Sequence, residues 1–169
     1  MQPTPEQKAE IARLIKIRPA VADDLPFVHH EWKKTAYKHL DTALYKSDQG
    51  RLPPWAVWKT LFPPIVEHLC ARSEVYVACP IDAPRQILAF AVTERIPDGT
   101  LVLHWVHTKK KFWRHGIAEL LLRDRGFTSE GHAVFTFPSI AYSIIKERVK
   151  AWDYVPFWLF AFGKQGQPE

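Results

Sequence analysis

The residues best suited to chemistry lie together in Trp105-Val106-His107-Thr108-Lys109-Lys110-Lys111-Phe112-Trp113-Arg114-His115-Gly116-Ile117-Ala118. An apolar strand runs into a basic turn, and a glycine opens an apolar helix. The first amides of a helix lack intrahelical acceptors and sit at its positive end, so such a turn attracts anions. Gly116 removes the side chain that would block a phosphate, and Ala118 keeps the next exposed position small. Lys109, Lys110, Lys111, Arg114 and His115 ring the turn with positive charge; for the lysine run, a solvated turn explains the sequence as well as phosphate contact does. Arg114 is the better ligand, because a planar guanidinium suits phosphate oxygens. Two residues upstream could handle protons: His104, inside an apolar strand, and Glu94, at the end of the strand before it. Adjacent His29 and His30 cannot face one ion from a helix, so no metal site is expected. There is also no Gly-x-Ser-x-Gly turn for a nucleophilic serine.

The elements that must hold these residues follow from periodicity. Leu14–Arg18 reads as a first strand, and Asp24 and Pro26 as a helix start continued by Val28, Trp32 and Ala36. His39–Pro53 is polar and reads as a loop. A second helix carries Trp58, Leu61, Ile65 and Leu69, with Pro63-Pro64 expected to kink or split it. Glu74–Cys79, Gln86–Glu94 and Leu101–His107 form a meander, with Leu101, Leu103 and Trp105 on one side of its third strand. A helix with Ile117, Leu120 and Leu121 inward follows, then a strand at Ala133–Phe137, a helix from Ser139 to Trp152 and a strand at Tyr154–Phe162. This order predicts an α/β chain with a mixed, mostly antiparallel sheet of six to seven strands and helices on both faces. A single domain over 1–169 is expected, with its core at about 14–162 and both ends frayed.

Composition narrows the class. The chain has 169 residues, 47% apolar and 24% charged, so widespread disorder and a disulfide scaffold are excluded, the latter because only Cys70 and Cys79 are present. No apolar run approaches the ~20 residues that cross a bilayer, and no secretory leader is visible, so a cytoplasmic protein that keeps both thiols reduced and buried or half-buried is expected. A formal charge of +5 fits an anionic ligand, but it lacks the concentration typical of nucleic-acid binders.

Trp113-Arg114-His115-Gly116-Ile117-Ala118 resembles the pyrophosphate motif of the GNAT family of N-acetyltransferases, Arg/Gln-x-x-Gly-x-Gly/Ala. The Gly-x-Ala half matches, while Trp113 stands where the family has Arg or Gln. The element order over residues 14–162 and the opening Ile17-Arg18-Pro19-Ala20 are similar to the family's too. The resemblance implies acetyl-CoA bound in a V-shaped cleft between two splayed strands, with its pyrophosphate at Arg114, His115, Gly116, Ile117 and Ala118. It implies a backbone amide at His107 or Thr108 polarising the thioester, and an amine as acceptor. Residues His29, His30, Trp32 and Tyr37, with Trp55 and Trp58, are then available for the acceptor side. Many family members protonate the leaving thiolate with a tyrosine of the fourth helix. Tyr142 is the tyrosine in that helix here, earlier than usual, and the usual later position holds Ile144 or Ile145.

The expected activity is therefore acyl-CoA-dependent N-acetyl transfer to an amine, by a monomer or homodimer without membrane contact. His104, Glu94 and Tyr142 are the candidate catalytic residues. Two other classes stay open: a catalytically degenerate binding or structural protein, such as a phage component, and a nucleic-acid base modifier resembling the phage Mom protein.

Overall fold

The computed structural model describes residues 3–43, 55–128, 130–137 and 152–155. Its order is α1 (Pro5–Leu14), β1 (Ile15–Pro19), a 3-10 turn (Ala22–Asp24), α2 (Leu25–Ala43), α3 (Trp55–Arg72), β2 (Glu74–Pro80), β3 (Ala89–Arg95), β4 (Leu101–Thr108), α4 (Ile117–Asp124), β5 (Ala133–Phe135) and β6 (Trp152–Tyr154). The sheet order is β1-β2-β3-β4-β5-β6, antiparallel through β4 and parallel from β4 to β6.

Helices cover both faces. On one, Val28, Trp32 and Ala36 of α2 and Phe62, Val66, Leu69 and Cys70 of α3 bury against Val75, Val77, Phe90, Val92 and Trp105. On the other, Ile117, Leu121 and Leu122 of α4 pack with Ala78, Ala89, Leu103 and Val106, and Ile11 of α1 adds a half-buried contact. The four-residue spacing in α2 thus marks its core face as the sequence suggested.

Several expectations are corrected. A helix absent from the expected order precedes β1: Thr4 and Gln7 cap α1 reciprocally, with Pro5 in its first turn. Asp24 does not cap α2; its carboxylate accepts the Val21 amide and pairs with Arg18. The polar stretch from His39 begins as helix, since α2 runs to Ala43. α3 continues through Pro63 and Pro64, where the packing of Phe62 and Val66 outweighs the lost backbone donors, and its buried face is Phe62, Val66, Leu69 and Cys70. Residues 139–151, the expected penultimate helix with Tyr142, lie outside the described residues, as do 156–162 of the expected last strand.

One local irregularity decides the site. Val92 lies opposite Trp105 but Thr93 lies opposite Leu103, so His104 is an extra residue in β4, a β-bulge. The expected face of Leu101, Leu103 and Trp105 is therefore broken: Leu103 and Val106 bury on the α4 side and Trp105 on the α2–α3 side. A bulge bends the strand that carries it. β5 pairs with β4 only through Leu101, Val102 and Leu103, and a last bond runs from the Thr136 amide to the Leu103 carbonyl (3.1 Å). Past Leu103, among the described residues, β4 pairs with β3 alone.

Candidate functional site

The bulge places His104 at the point where β4 and β5 part, with only 1% of its surface exposed. Its Nε2 lies 3.2 Å from Glu94 Oε2, and its Nδ1 lies 2.9 Å from the Thr136 hydroxyl at the end of β5. Glu94 Oε1 is 3.1 Å from Arg72 Nε and accepts the Ser73 hydroxyl at 3.2 Å. Four elements therefore meet in one network: the end of α3 (Arg72, Ser73), β3 (Glu94), the β4 bulge (His104) and the residue after β5 (Thr136).

Burial pushes His104 below the ordinary histidine value and outweighs the nearby Glu94 charge. Burial alone would raise Glu94, but the His104 contact and the Arg72 guanidinium, with Ser73, hold it below the usual carboxylate value. His104 is thus neutral and Glu94 ionised near neutral pH. With Nδ1 accepting from the Thr136 hydroxyl, Nε2 carries the proton and lies beside the Glu94 carboxylate, close enough for charge attraction but not aligned as a hydrogen bond. Glu94 also borders a polar cleft of about 280 Å³ that Thr93, Arg95 and Arg125 share, which connects the network with solvent.

These shifts give stability a defined pH dependence. As pH falls below the ordinary histidine value of 6.5, the unfolded chain binds a proton at residue 104 that the folded chain refuses, so folding weakens. Glu94, lowered in the fold, adds a second loss as pH falls below its ordinary 4.5 and through its folded value. A urea midpoint measured at pH 7 and pH 5 should drop in the native protein and drop less in His104→Asn. An identical drop in both would refute the neutral, buried state of His104.

Beyond the bulge, β4 presents a backbone edge. The Lys109 amide bonds to the Leu88 carbonyl next to β3 (2.9 Å). By the two-residue alternation of an antiparallel pair, the His107 amide also turns toward β3, whereas those of Val106 and Thr108 turn to the opposite edge. Of the two amides expected to face a ligand, that of Thr108 turns to the edge away from β3, as does that of Val106, while that of His107 turns toward β3. The His107 side chain instead packs on Phe90 and lies 3.6 Å from Glu31 of α2. Sequence reasoning missed Glu31, Arg72, Ser73 and Thr136, because no spacing along the chain ties them to β4.

The β4–α4 turn then closes tightly. The Trp113 indole N–H donates to the Thr108 carbonyl at 2.6 Å, and His115 Nδ1 lies 2.8 Å from the Trp113 carbonyl. Arg114 and Gly116 both take left-handed backbone, with φ of 66° and 79°. Gly116 is the N-cap of α4, and no side chain caps the helix there, so the first amides of α4 face outward from Ile117 and Ala118. Among the described residues, a Cβ at Gly116 would meet only the Lys8 side chain of α1, at an ordinary 3.7 Å. Arg114 is exposed beside it. Lys109 and Lys111 lay their ammonium groups over Phe27 (4.6 Å) and Phe112 (4.8 Å). Burial, helped by the Lys111 charge, holds Lys109 below the ordinary lysine value.

The acceptor-side candidates separate. Trp32 belongs to the core: it stacks on Trp105 at 5.8 Å with Phe137 edge-on, and Tyr37 is half-buried in the same cluster. His29 is half-buried and His30 exposed, and the side chains of Trp55 and Trp58 lie outside the described residues. No group of three metal-ligating side chains occurs among the described residues. Cys70 and Cys79 are both free and buried, and burial pushes the Cys70 thiol up to about 12. No described helix is long and apolar enough to cross a membrane. An apolar cavity of about 520 Å³ lies on the α1 and α4 face, away from the His104 network.

No protein-family model and no curated protein matches this sequence. Among solved structures, a Pyrococcus furiosus protein classed by name as an acetyl transferase superposes with a TM-score of 0.50 at 13% identity, covering 92% of this chain and 95% of its own. A GNAT family acetyltransferase from Elizabethkingia anophelis with acetyl-CoA bound gives 0.38 at 18% identity; the match covers 66% of this chain and only 55% of that one. An aminoglycoside acetyltransferase from an uncultured soil metagenomic sample, in complex with sisomicin, gives 0.38 at 13% identity over 86% and 78% of the two chains. Identities this low speak to fold alone.

Proposed function

We propose that this chain, which has the fold of the GNAT acetyltransferases, is an acyl-CoA-dependent N-acyltransferase that moves an acetyl group from acetyl-CoA to an amine. One observation carries the reading. The edge of β4 that β5 leaves at Leu103 leads directly into the open, uncapped start of α4 at Gly116. The residues present fit the group: the edge amides of Val106 and Thr108 can bond an extended amide-bearing arm, and the Gly116 opening, with Arg114 and the first amides of α4, can seat a pyrophosphate. Bound there, acetyl-CoA would supply an acyl group activated as a thioester.

The chain's own residues would then do three things. A fixed amide on the β4 edge, at Val106 or Thr108, donates to the carbonyl oxygen as charge develops on it. Glu94, ionised at neutral pH, takes the proton the amine must lose, directly or through a water held with His104, and releases it through the polar cleft. His104 fixes the carboxylate, and Thr136 fixes His104. The general acid for the thiolate remains assigned to Tyr142, outside the described residues. Acceptor recognition falls to the α2 face beside His107 and Glu31. Cytoplasmic residence and the monomer-or-homodimer expectation belong to this same proposal.

The full engagement of Glu94 by Arg72, Ser73 and His104 also suits a second reading, in which the network is structural and the chain binds coenzyme A without turnover. A thiol-release assay with acetyl-CoA and a panel of primary amines separates the two. Amine-dependent thiol release is expected; acetyl-CoA binding with no release for any amine would favour the binding protein.

A further inference from the structure

The most unusual residue of the basic turn is Trp113. It carries the largest side chain in the turn, yet 46% of its surface is exposed. Its orientation is fixed, because its indole N–H is committed to the Thr108 carbonyl at 2.6 Å and its own carbonyl is bonded by His115. An exposed indole held in place, flanked by Lys110, Lys111 and Arg114, offers a flat π surface inside positive charge. That combination suits a nucleotide: a base stacks on the ring while its phosphates meet the cations. Trp113 lies three residues before Gly116, so the two are at most about 11 Å apart along the chain.

We propose that Trp113 is the stacking platform for the adenine ring of the coenzyme, beside a pyrophosphate seated at Arg114–Ala118. This rests on the acyl-CoA reading and adds a recognition element in place of the arginine or glutamine that the resembling motif carries. Single-stranded nucleic acid is the competing occupant. It is disfavoured because such proteins present successive stacking rings along a groove, and this turn presents one.

The test is calorimetric titration of wild type, Trp113→Ala and Trp113→Phe with coenzyme A, adenosine 3′,5′-bisphosphate and 4′-phosphopantetheine, with thermal midpoints to show that all are folded. Trp113→Ala should weaken coenzyme A and the bisphosphate by between about fivefold and about a hundredfold, the range for one stacked base. Phosphopantetheine affinity should not change. Trp113→Phe, which keeps a ring but loses the N–H, should restore most of the affinity. The proposal is overturned if Phe binds as poorly as Ala, if Ala leaves coenzyme A unaffected, if phosphopantetheine weakens equally, or if labelled oligothymidine binds wild type more tightly than the bisphosphate does. Failure of the wider reading looks different: wild type would then bind no coenzyme A at all.

Discussion

Replacing Glu94 with Gln is expected to lower turnover by roughly 100- to 10,000-fold, the usual cost of losing a general base, while acetyl-CoA affinity stays within about twofold. The carboxylate sits on β3, across the sheet from the edge that would bind the arm of the coenzyme, so binding and proton transfer should separate cleanly. Because half-buried Glu94 and buried His104 form one contacting unit, His104→Ala should cost a similar factor, and the double variant little more than either alone. Steady-state kinetics of the three variants beside their thermal midpoints measures this. If Glu94→Gln and His104→Ala both keep wild-type turnover, catalysis rests on the β4 edge and on Tyr142, and the network is a structural brace.

Gly116→Val should weaken coenzyme A binding by about 30-fold or more, corresponding to roughly 2 kcal/mol. Two effects contribute. The φ of 79° is a left-handed conformation, which costs an ordinary L-residue about 1–2 kcal/mol and strains a β-branched one further. The added methyls would also stand in front of the first amides of α4. Gly116→Asn separates these effects, since asparagine tolerates left-handed backbone but still adds a side chain. The native chain has room for a Cβ there, with Lys8 at an ordinary 3.7 Å. An affinity loss in a stable Gly116→Asn protein therefore reports on the ligand's approach. If folded Gly116→Val binds coenzyme A like wild type, the pyrophosphate does not sit at this turn.

Strands and core helices were legible where periodicity was strong. Val28, Trp32 and Ala36 showed the buried stripe of α2, and the meander from β2 to β4 lies within a few residues of its expected limits. The turn at Gly116 was legible because glycine, basic residues and an apolar helix adjoin along the chain. The rest was hidden for physical reasons. A bulge adds one residue without any composition signal, so strict alternation assigns Trp105 to the face of Leu103 and gives no reason for a buried polar His104. Arg72, Ser73 and Thr136 reach Glu94 and His104 only through tertiary folding. The capping pair Thr4 and Gln7 with Pro5 could have revealed α1, since side chain and spacing both fit a helix start.

The proposed function requires the β4 edge and the turn before α4 to form a working site for coenzyme A. Isothermal titration of the wild-type chain with acetyl-CoA, coenzyme A and desulfo-CoA tests it before any acceptor is known. Saturable one-to-one binding of all three is expected, each weakened by Gly116→Val. Absence of binding by any of them, or binding that Gly116→Val leaves unchanged, would contradict it.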